Sequence, residues 1–179
     1  MPQIEIRPAT PDDIPLLITL EHNYVSDYVW QIDLQQDEHK TSIVFRQVKL
    51  PRSVQVRYPR DPQALSEEWT KRDGVLVASM KSQIVGYACL VNNLAPKTTW
   101  VTDLVVLRRQ RRQGIGTALL LASQDWAIQK KNRRIILEMQ PKNYPTISLA
   151  QKLGYDLCGY NDHYFINQDI ALFFSKWLS

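Results

Sequence analysis

The sequence predicts a mixed α/β domain built around one sheet, and three observations carry that prediction. Short β-rich runs come first, a βαβα order occupies the middle, and β-rich runs return at the end. One long stretch, from about Ile115 to Lys131, carries Ile115, Leu119, Ala122 and Trp126 in i, i+4, i+7, i+11 register. The chain has 179 residues, 44% hydrophobic and 22% charged, which suits one globular domain over residues 1–179 and argues against disorder or a coiled coil.

Each element has its own local signal. Residues 3–8 alternate apolar and polar, as a short strand does. Thr10-Pro11-Asp12-Asp13 then supplies an N-cap, a proline at N1 and early acids for a helix expected to run to about His22. From Asn23 to Gln36, the spacing of Tyr24, Asp27, Tyr28, Trp30 and Asp33 reads as a second helix or a structured loop. Strands are expected at 42–49 and 54–58, and Asp61-Pro62 opens a short helix near 62–70. Gly74 to Met80 and Gln83 to Val91, split by Lys81-Ser82, read as a hairpin. A strand from Thr98 to Leu107, the helix from Ile115 and a strand from Arg134 to Met139 form the βαβ core. Asn143-Tyr144-Pro145 caps a further helix ending at Leu153, with Gly154 at C′. Tyr155 to Tyr160, Tyr164 to Ile166 and Ile170 to Trp177 close the chain with β structure.

Composition excludes several classes. The longest apolar runs, such as Ala118 to Ala122, fall far short of the roughly 18 residues a spanning helix needs, so no membrane partner is expected. The opening MPQIEIRPATPDD lacks the apolar centre of a signal peptide, so the expected location is cytoplasmic. In that reducing compartment Cys89 and Cys158, each beside apolar neighbours, are expected as unpaired small core residues. His22, His39 and His163 are scattered and no Cys/His ligand spacing exists, so no metal is expected.

The charge is uneven. Residues 108–134 hold eight Arg or Lys against Asp125 alone, a net of +7 in a chain whose total is +4. A second basic stretch runs through Lys40, Arg46, Lys49, Arg52, Arg57 and Arg60. Positive charge beside a glycine turn suits a phosphate-bearing ligand, whereas spread over a face it would suit nucleic acid.

The segment Leu104-Val105-Val106-Leu107-Arg108-Arg109-Gln110-Arg111-Arg112-Gln113-Gly114-Ile115-Gly116-Thr117 points to the first of these. A β run feeds a glycine turn that opens an apolar-faced helix. Gly114 and Gly116 remove Cβ atoms that would hold a ligand away, and the helix start presents unpaired N–H groups and partial positive charge. That combination suits a pyrophosphate. A P-loop would need Gly-Lys-Ser/Thr, which is absent, and a dinucleotide fingerprint would need glycine where Leu119 stands. What remains is Arg/Gln-x-x-Gly-x-Gly/Ala, matched by Arg111, Gly114 and Gly116.

With this strand and helix context, the sequence resembles the GNAT superfamily of acetyl-CoA-dependent N-acetyltransferases from IEIRPATPDDIPLL to Gly154-Tyr155. The resemblance implies a GNAT fold, with a mixed, mostly antiparallel sheet of about seven strands and about four helices. It implies acetyl-CoA as cosubstrate. The pyrophosphate would be held by backbone amides of Arg111, Arg112, Gln113, Gly114, Ile115, Gly116 and Thr117, the pantetheine arm by the edge of Leu104, Val105 and Val106, and CoA would also touch Asn143. CoA's own phosphates then account for the clustered arginines, and no nucleic-acid partner is expected. Leu137-Glu138-Met139-Gln140, Leu157-Cys158-Gly159-Tyr160 and Asp169 to Phe173 look like the streptothricin acetyltransferase branch, whose acceptor is an antibiotic amine.

Acetyl transfer needs the neutral amine, and a lysine-like pKa of ~10.4 makes deprotonation cost about 4.6 kcal/mol at pH 7. A general base is therefore expected. Asp103, just before the Leu104 edge, is one candidate, with a sheet-end carboxylate as its plain alternative. Glu138 is the other, with an ion pair to Arg133 or Arg134 as its alternative. A bulged strand would free an N–H for the developing oxyanion, by resemblance near Val105 or Val106. The family's usual acid, a tyrosine four residues before the Gly-aromatic pair, is replaced by Ala150, a departure that puts the acid in doubt. Tyr155, Tyr160 and Tyr164 are the substitutes to consider, with Tyr160 or Tyr164 expected to line the acceptor site. Tyr24, Asp27, Tyr28 and Trp30 are expected to bind a cationic acceptor by charge and cation–π contact, or else to pack in the core. The exposed-or-facing state of the Lys40–Arg60 stretch matters, because it would repel such a cation. The expected partner is a small-molecule amine, or alternatively a protein or peptide amine, with the chain acting as a monomer or homodimer. A CoA-binding sensor without turnover is the other alternative.

Overall fold

The computed structural model describes residues 3–179. Met1 and Pro2, the first two residues of the stretch read above for a signal, lie outside them. Strand β1 (Ile4–Pro8) leads to helix α1 (Ile14–Ile18), then β2 (Tyr24–Gln36) and β3 (Thr41–Val56). Helix α2 (Ala64–Glu68) follows, continued by a 3-10 turn, and then β4 (Gly74–Met80), β5 (Gln83–Asn92) and β6 (Thr98–Val106). Helix α3 (Ile115–Gln129), β7 (Arg134–Met139), α4 (Tyr144–Lys152), β8 (Asp156–Asn161) and β9 (Ala171–Trp177) complete the chain. Seven strands form one sheet in the order β1-β4-β5-β6-β7-β9-β8, in which β6–β7 is the parallel pair, and β2–β3 form a second, two-stranded sheet. The single sheet expected is thus two.

Helices cover both faces of the larger sheet. Alternating residues divide between them: Leu76 and Ala78 pack with Ile115, Leu119 and Ile147 toward α3 and α4, while Val75 and Val77 pack with Ile14, Leu17 and Leu65 toward α1 and α2. The α3 face that is buried comprises Ile115, Leu119, Leu120, Ser123 and Ala127, whereas Ala122 and Trp126 of the expected register are only partly covered.

The hairpin at Lys81-Ser82 forms as expected, both residues having positive φ (49° and 64°), as a two-residue turn matching strand twist requires. Gly154 likewise has φ of 81° just past the C-cap of α4. Other expectations fail for identifiable reasons. Helix α1 ends at Ile18 rather than His22 and starts at Ile14, not at Pro11. Pro15 has no N–H to give the Pro11 carbonyl, so it is tolerated only within the first turn, and Thr10 does not cap the helix. The 23–36 segment is strand, not helix or loop. Its period-2 set, Tyr28, Trp30, Ile32 and Leu34, lies opposite Lys49, Gln47, Phe45 and Ile43, and Trp30, Ile32 and Phe45 rest on the main core. The strands expected at 42–49 and 54–58 are one, with Pro51 in an irregular stretch between the Tyr28–Lys49 and Ser26–Val54 pairs, where no ladder N–H is demanded. Tyr164 to Ile166 are loop, because the N–H groups of Tyr164 and Phe165 both turn back to the Asp169 carbonyl (3.1 and 3.2 Å). Cys89 is buried as expected, but Cys158 is exposed, the extra residue where β8 shifts register between Leu157 and Gly159. Among the described residues no helix is long and apolar enough to cross a membrane.

Candidate active site

The site begins where two strands part. The β6–β7 ladder joins Thr98–Val101 to Arg134–Leu137 and stops there. At the same level β6 shifts register against β5: Leu90 faces Val101 and Cys89 faces Asp103, which leaves Thr102 as an extra residue. The parity of burial shows the consequence. Val101 packs toward α3 and α4, while Val105, four residues on and hence on the same side of a regular strand, packs toward α1 and α2. The bulge therefore lies at Thr102, earlier than the Val105 or Val106 expected. Beyond it Leu104, Val105 and Val106 keep β5 on one side and have no ladder to β7 on the other.

Asp103 and Glu138 face each other across this fork, both on the α1–α2 side of the sheet and both buried (8% and 6% exposed). Asp103 has a donor on each oxygen: the Tyr58 hydroxyl donates to Oδ1, Thr102 Oγ1 donates to Oδ2 at 2.9 Å, and the Arg60 guanidinium lies 3.6 Å away. Glu138 accepts from Arg60 on one oxygen and from the Tyr164 hydroxyl, at 2.7 Å, on the other. Its partner is thus Arg60 and not Arg133 or Arg134. Burial pushes the Glu138 carboxyl above its ordinary value, with Arg60 and then Tyr164 opposing that rise. Burial also pushes the Tyr164 hydroxyl up, and the Glu138 charge adds to it. Behind Asp103, His22 Nδ1–H donates to the Leu20 carbonyl (2.6 Å) and its Nε2 accepts from Tyr87 (2.8 Å), a neutral ring whose pKa burial lowers.

The glycine turn lies at the far end of the open edge. Gly114 is the N-cap of α3 with φ of 85°, and a Cβ there would meet nothing within 4 Å, so the turn is open above it. The N–H groups of Ile115, Gly116 and Thr117 head the helix with no carbonyl four residues back inside it. Ile115 buries its side chain in the core, leaving only its backbone at the turn. Arg112 and Gln113 are exposed. The Arg111 side chain is occupied structurally: it donates to the carbonyls of Val106 (2.8 Å), Glu21 (2.9 Å) and Asn23 (3.0 Å), tying the turn to the segment between α1 and β2. Gly116 has a packing role as well, since its Cβ would stand 3.0 Å from Leu149 of α4. Asn143 caps α4, accepting from the Thr146 N–H at 3.3 Å, and lines the cleft beside Glu138.

The remaining candidates divide. Tyr24 lines the cleft, its buried hydroxyl donating to Gln140 (2.6 Å), which in turn donates to Asp169 (2.6 Å). Gln140 also borders a neighbouring hollow of about 280 Å³. Asp27 accepts from Ser53, and Tyr28 stacks at 4.5 Å on Tyr144. Trp30 packs edge-on against Phe174 with its indole N–H buried and unpartnered. The structure does not bring these three among the cleft-lining side chains. Tyr155 is buried, its hydroxyl accepting from Gln124 at 3.1 Å and pushed up to about 12 by burial. Tyr160 packs against Phe45. Ala150 is fully buried in the core and carries no group that could act as an acid. Sequence reasoning missed Tyr58, Arg60 and Phe165. Arg60 was legible only as one charge in the basic stretch, of which Lys40, Arg46, Lys49, Arg52 and Arg57 are exposed while Arg60 alone turns into the cleft, already paired with both carboxylates.

Comparison with known proteins gives the family and the fold. The sequence model of the acetyltransferase (GNAT) family matches residues 35–155. An N-alpha-acetyltransferase of Sulfurisphaera tokodaii is 30% identical over 112 residues, 53% of this chain, which spans 64% of that relative's length. Streptothricin acetyltransferase of Streptomyces lavendulae is 21% identical over 160 residues, covering 87% of this chain and 82% of the relative. The crystal structure of nourseothricin acetyltransferase superposes with a TM-score of 0.84 at 20% identity, covering 98% of this chain and 99% of the other, which shows a shared fold.

Proposed function

This chain belongs to the acetyltransferase (GNAT) family, and we propose that it moves the acetyl group of acetyl-CoA directly to a primary amine of a small molecule, a streptothricin-like antibiotic being the leading candidate. The observation that carries the reading is the pair of buried carboxylates at the mouth of a strand fork whose open edge leads to a helix-heading glycine turn. The turn suits a pyrophosphate, with open space over Gly114 and the amides of Ile115, Gly116 and Thr117 left without a partner inside the helix they head. Leu104, Val105 and Val106 present a free edge to an extended amide-bearing arm, and Asn143 stands across from it. Acetyl-CoA supplies the activated acyl group.

The chain's own residues then do three things. Glu138 accepts the amine's proton, since burial brings its basicity closer to the working pH. The register break at Thr102 is where a backbone N–H would be freed to meet developing negative charge. Asp103, bound by Tyr58 and Thr102, holds the fork's polar groups in place, and Tyr164 rather than Tyr160 borders the acceptor through its contact with Glu138. We place the protein in the cytoplasm, as monomer or homodimer. An amine of a protein or peptide is the second reading, favoured by the identity to the N-alpha-acetyltransferase.

The test is release of free CoA thiol from acetyl-CoA against streptothricin, polyamines, aminoglycosides, amino acids and a peptide. Turnover with one acceptor that is lost in Gly114→Trp, checked for folding, supports transfer and names the acceptor class. Turnover with the peptide alone favours the second reading. Acetyl-CoA binding with no turnover anywhere favours a sensor.

A further inference from the structure

Arg60 comes from the segment between β3 and α2, yet reaches every edge of the fork. Its Nη1 donates to the Thr102 carbonyl at 2.9 Å and its Nη2 to Glu138. Its guanidinium also lies over the Phe165 ring at 5.2 Å, in the loop that carries Tyr164. Thr102 and Asp103 are the first β6 residues past the last β6–β7 pair, and Glu138 is the first on β7. One planar cation therefore stands where the ladder would have continued, joining the bulge carbonyl of one strand to the carboxylate of the other. A two-pronged donor of fixed shape suits that task better than an ammonium.

We infer that Arg60 is a positioning residue that holds Glu138 as a carboxylate by its charge and sets the opening of the fork by bridging Thr102 to Glu138. This rests on the transfer reading for its catalytic meaning. The groups facing Glu138 are Arg60 from the β3–α2 segment, Asp103 from β6 and Tyr164 from the loop after β8, while Phe173, its partner on β9, is uncharged. Asp103 repels a second negative charge, and burial opposes one. Without Arg60, Glu138 would hold its proton up to a higher pH and would accept one from an amine over a narrower range.

The experiment follows the Glu138 carboxyl by carbon-13 NMR in protein labelled at glutamate, its signal identified by loss in Glu138→Gln. Arg60→Gln is expected to raise its titration midpoint by about one to three units, the size of an opposite charge within a few ångströms. Arg60→Lys should leave it within about half a unit, since the charge survives. The acid limb of kcat/KM should move in step for whichever amine is turned over, with acetyl-CoA binding unchanged. A folded Arg60→Gln with an unmoved midpoint overturns the inference. Should Arg60→Gln fail to fold, the test passes to Arg60→Met, in which the charge is likewise lost: a raised midpoint supports the inference and an unmoved one overturns it. A shifted midpoint in a protein that acetylates no amine would reject the transfer reading and leave Arg60's hold on Glu138 standing.

Discussion

At the scale of single residues, two buried carboxylates a few ångströms from one guanidinium are not equivalent. Asp103 has its oxygens engaged by Tyr58 and Thr102, whereas Glu138 is held by Arg60 and by a half-exposed tyrosine. Glu138→Gln should therefore lower kcat by about 10²- to 10⁴-fold, the range of a lost general base. Because burial raises the Glu138 pKa, the wild-type rate should fall on acidification through a value above the ~4.3 of a free glutamate, and a kcat/KM pH profile checks this. Tyr164→Phe removes the donor to Glu138 and should change turnover, while Tyr160→Phe, which only loses a hydroxyl beside Phe45, should not. Equal effects of the two would count against the assignment. Glu138 and Asp103 were both legible as acids on predicted strands. Their partner Arg60 was not, because a charge 43 residues before Asp103 in sequence gives no local sign that it folds over it.

At the scale of elements, the fork depends on how closely β5 can back β6. A Cβ on Gly86 would lie 2.6 Å from the Val105 carbonyl, so Gly86→Ala must displace backbone. It should cost about 1–3 kcal/mol in thermal unfolding and reduce turnover through the Leu104–Val106 edge. Gly116→Ala meets side-chain methyls alone, a Leu149 methyl at 3.0 Å that can move and one of Val106 at 4.0 Å, and should be milder. The start of α1 supplies a separate test. Asp13 accepts from both Arg7 nitrogens (2.7 and 2.8 Å) and from the Thr10 N–H (2.7 Å), and chiefly Arg7 holds its carboxyl well below the usual range. A depressed carboxyl contributes stability that is present above its unfolded value of ~3.9 and is lost as pH falls below it. Asp13→Asn should lower stability by about 1.5–3 kcal/mol at pH 7 and less at pH 2–3, read from thermal melts at the two pH values. These elements were foreseen where punctuation was local, as at Lys81-Ser82 and Asn143-Tyr144-Pro145. The β2 strand was not, since Tyr24 and Tyr28 fit helical spacing and only the distant β3 selects the period-2 face.

At the scale of the whole molecule, α3 splits the basic stretch of residues 108–134: Arg108, Arg109, Arg111 and Arg112 precede the turn that heads the helix, and Lys130, Lys131, Arg133 and Arg134 follow its far end. A ligand that binds the folded state alone at a hundredfold over its Kd stabilises it by about 2.7 kcal/mol. Acetyl-CoA at that excess should thus raise Tm by about 5 to 10 °C, and the rise should vanish in Gly114→Trp. An equal rise in both proteins would place binding elsewhere.

By itself the sequence determined the α/β class, the βαβ unit, the glycine turn that heads α3 and the positions of two acids on strands, because each is written in residues adjacent along the chain or in a short period. Tertiary structure alone decided the Thr102 bulge, the length of the β6–β7 ladder, the β2–β3 sheet and the arrival of Arg60, Tyr58 and Tyr164 at one point. Those depend on which distant segments pair and where the pairing stops, and that is set by the fit of whole faces rather than by any local run.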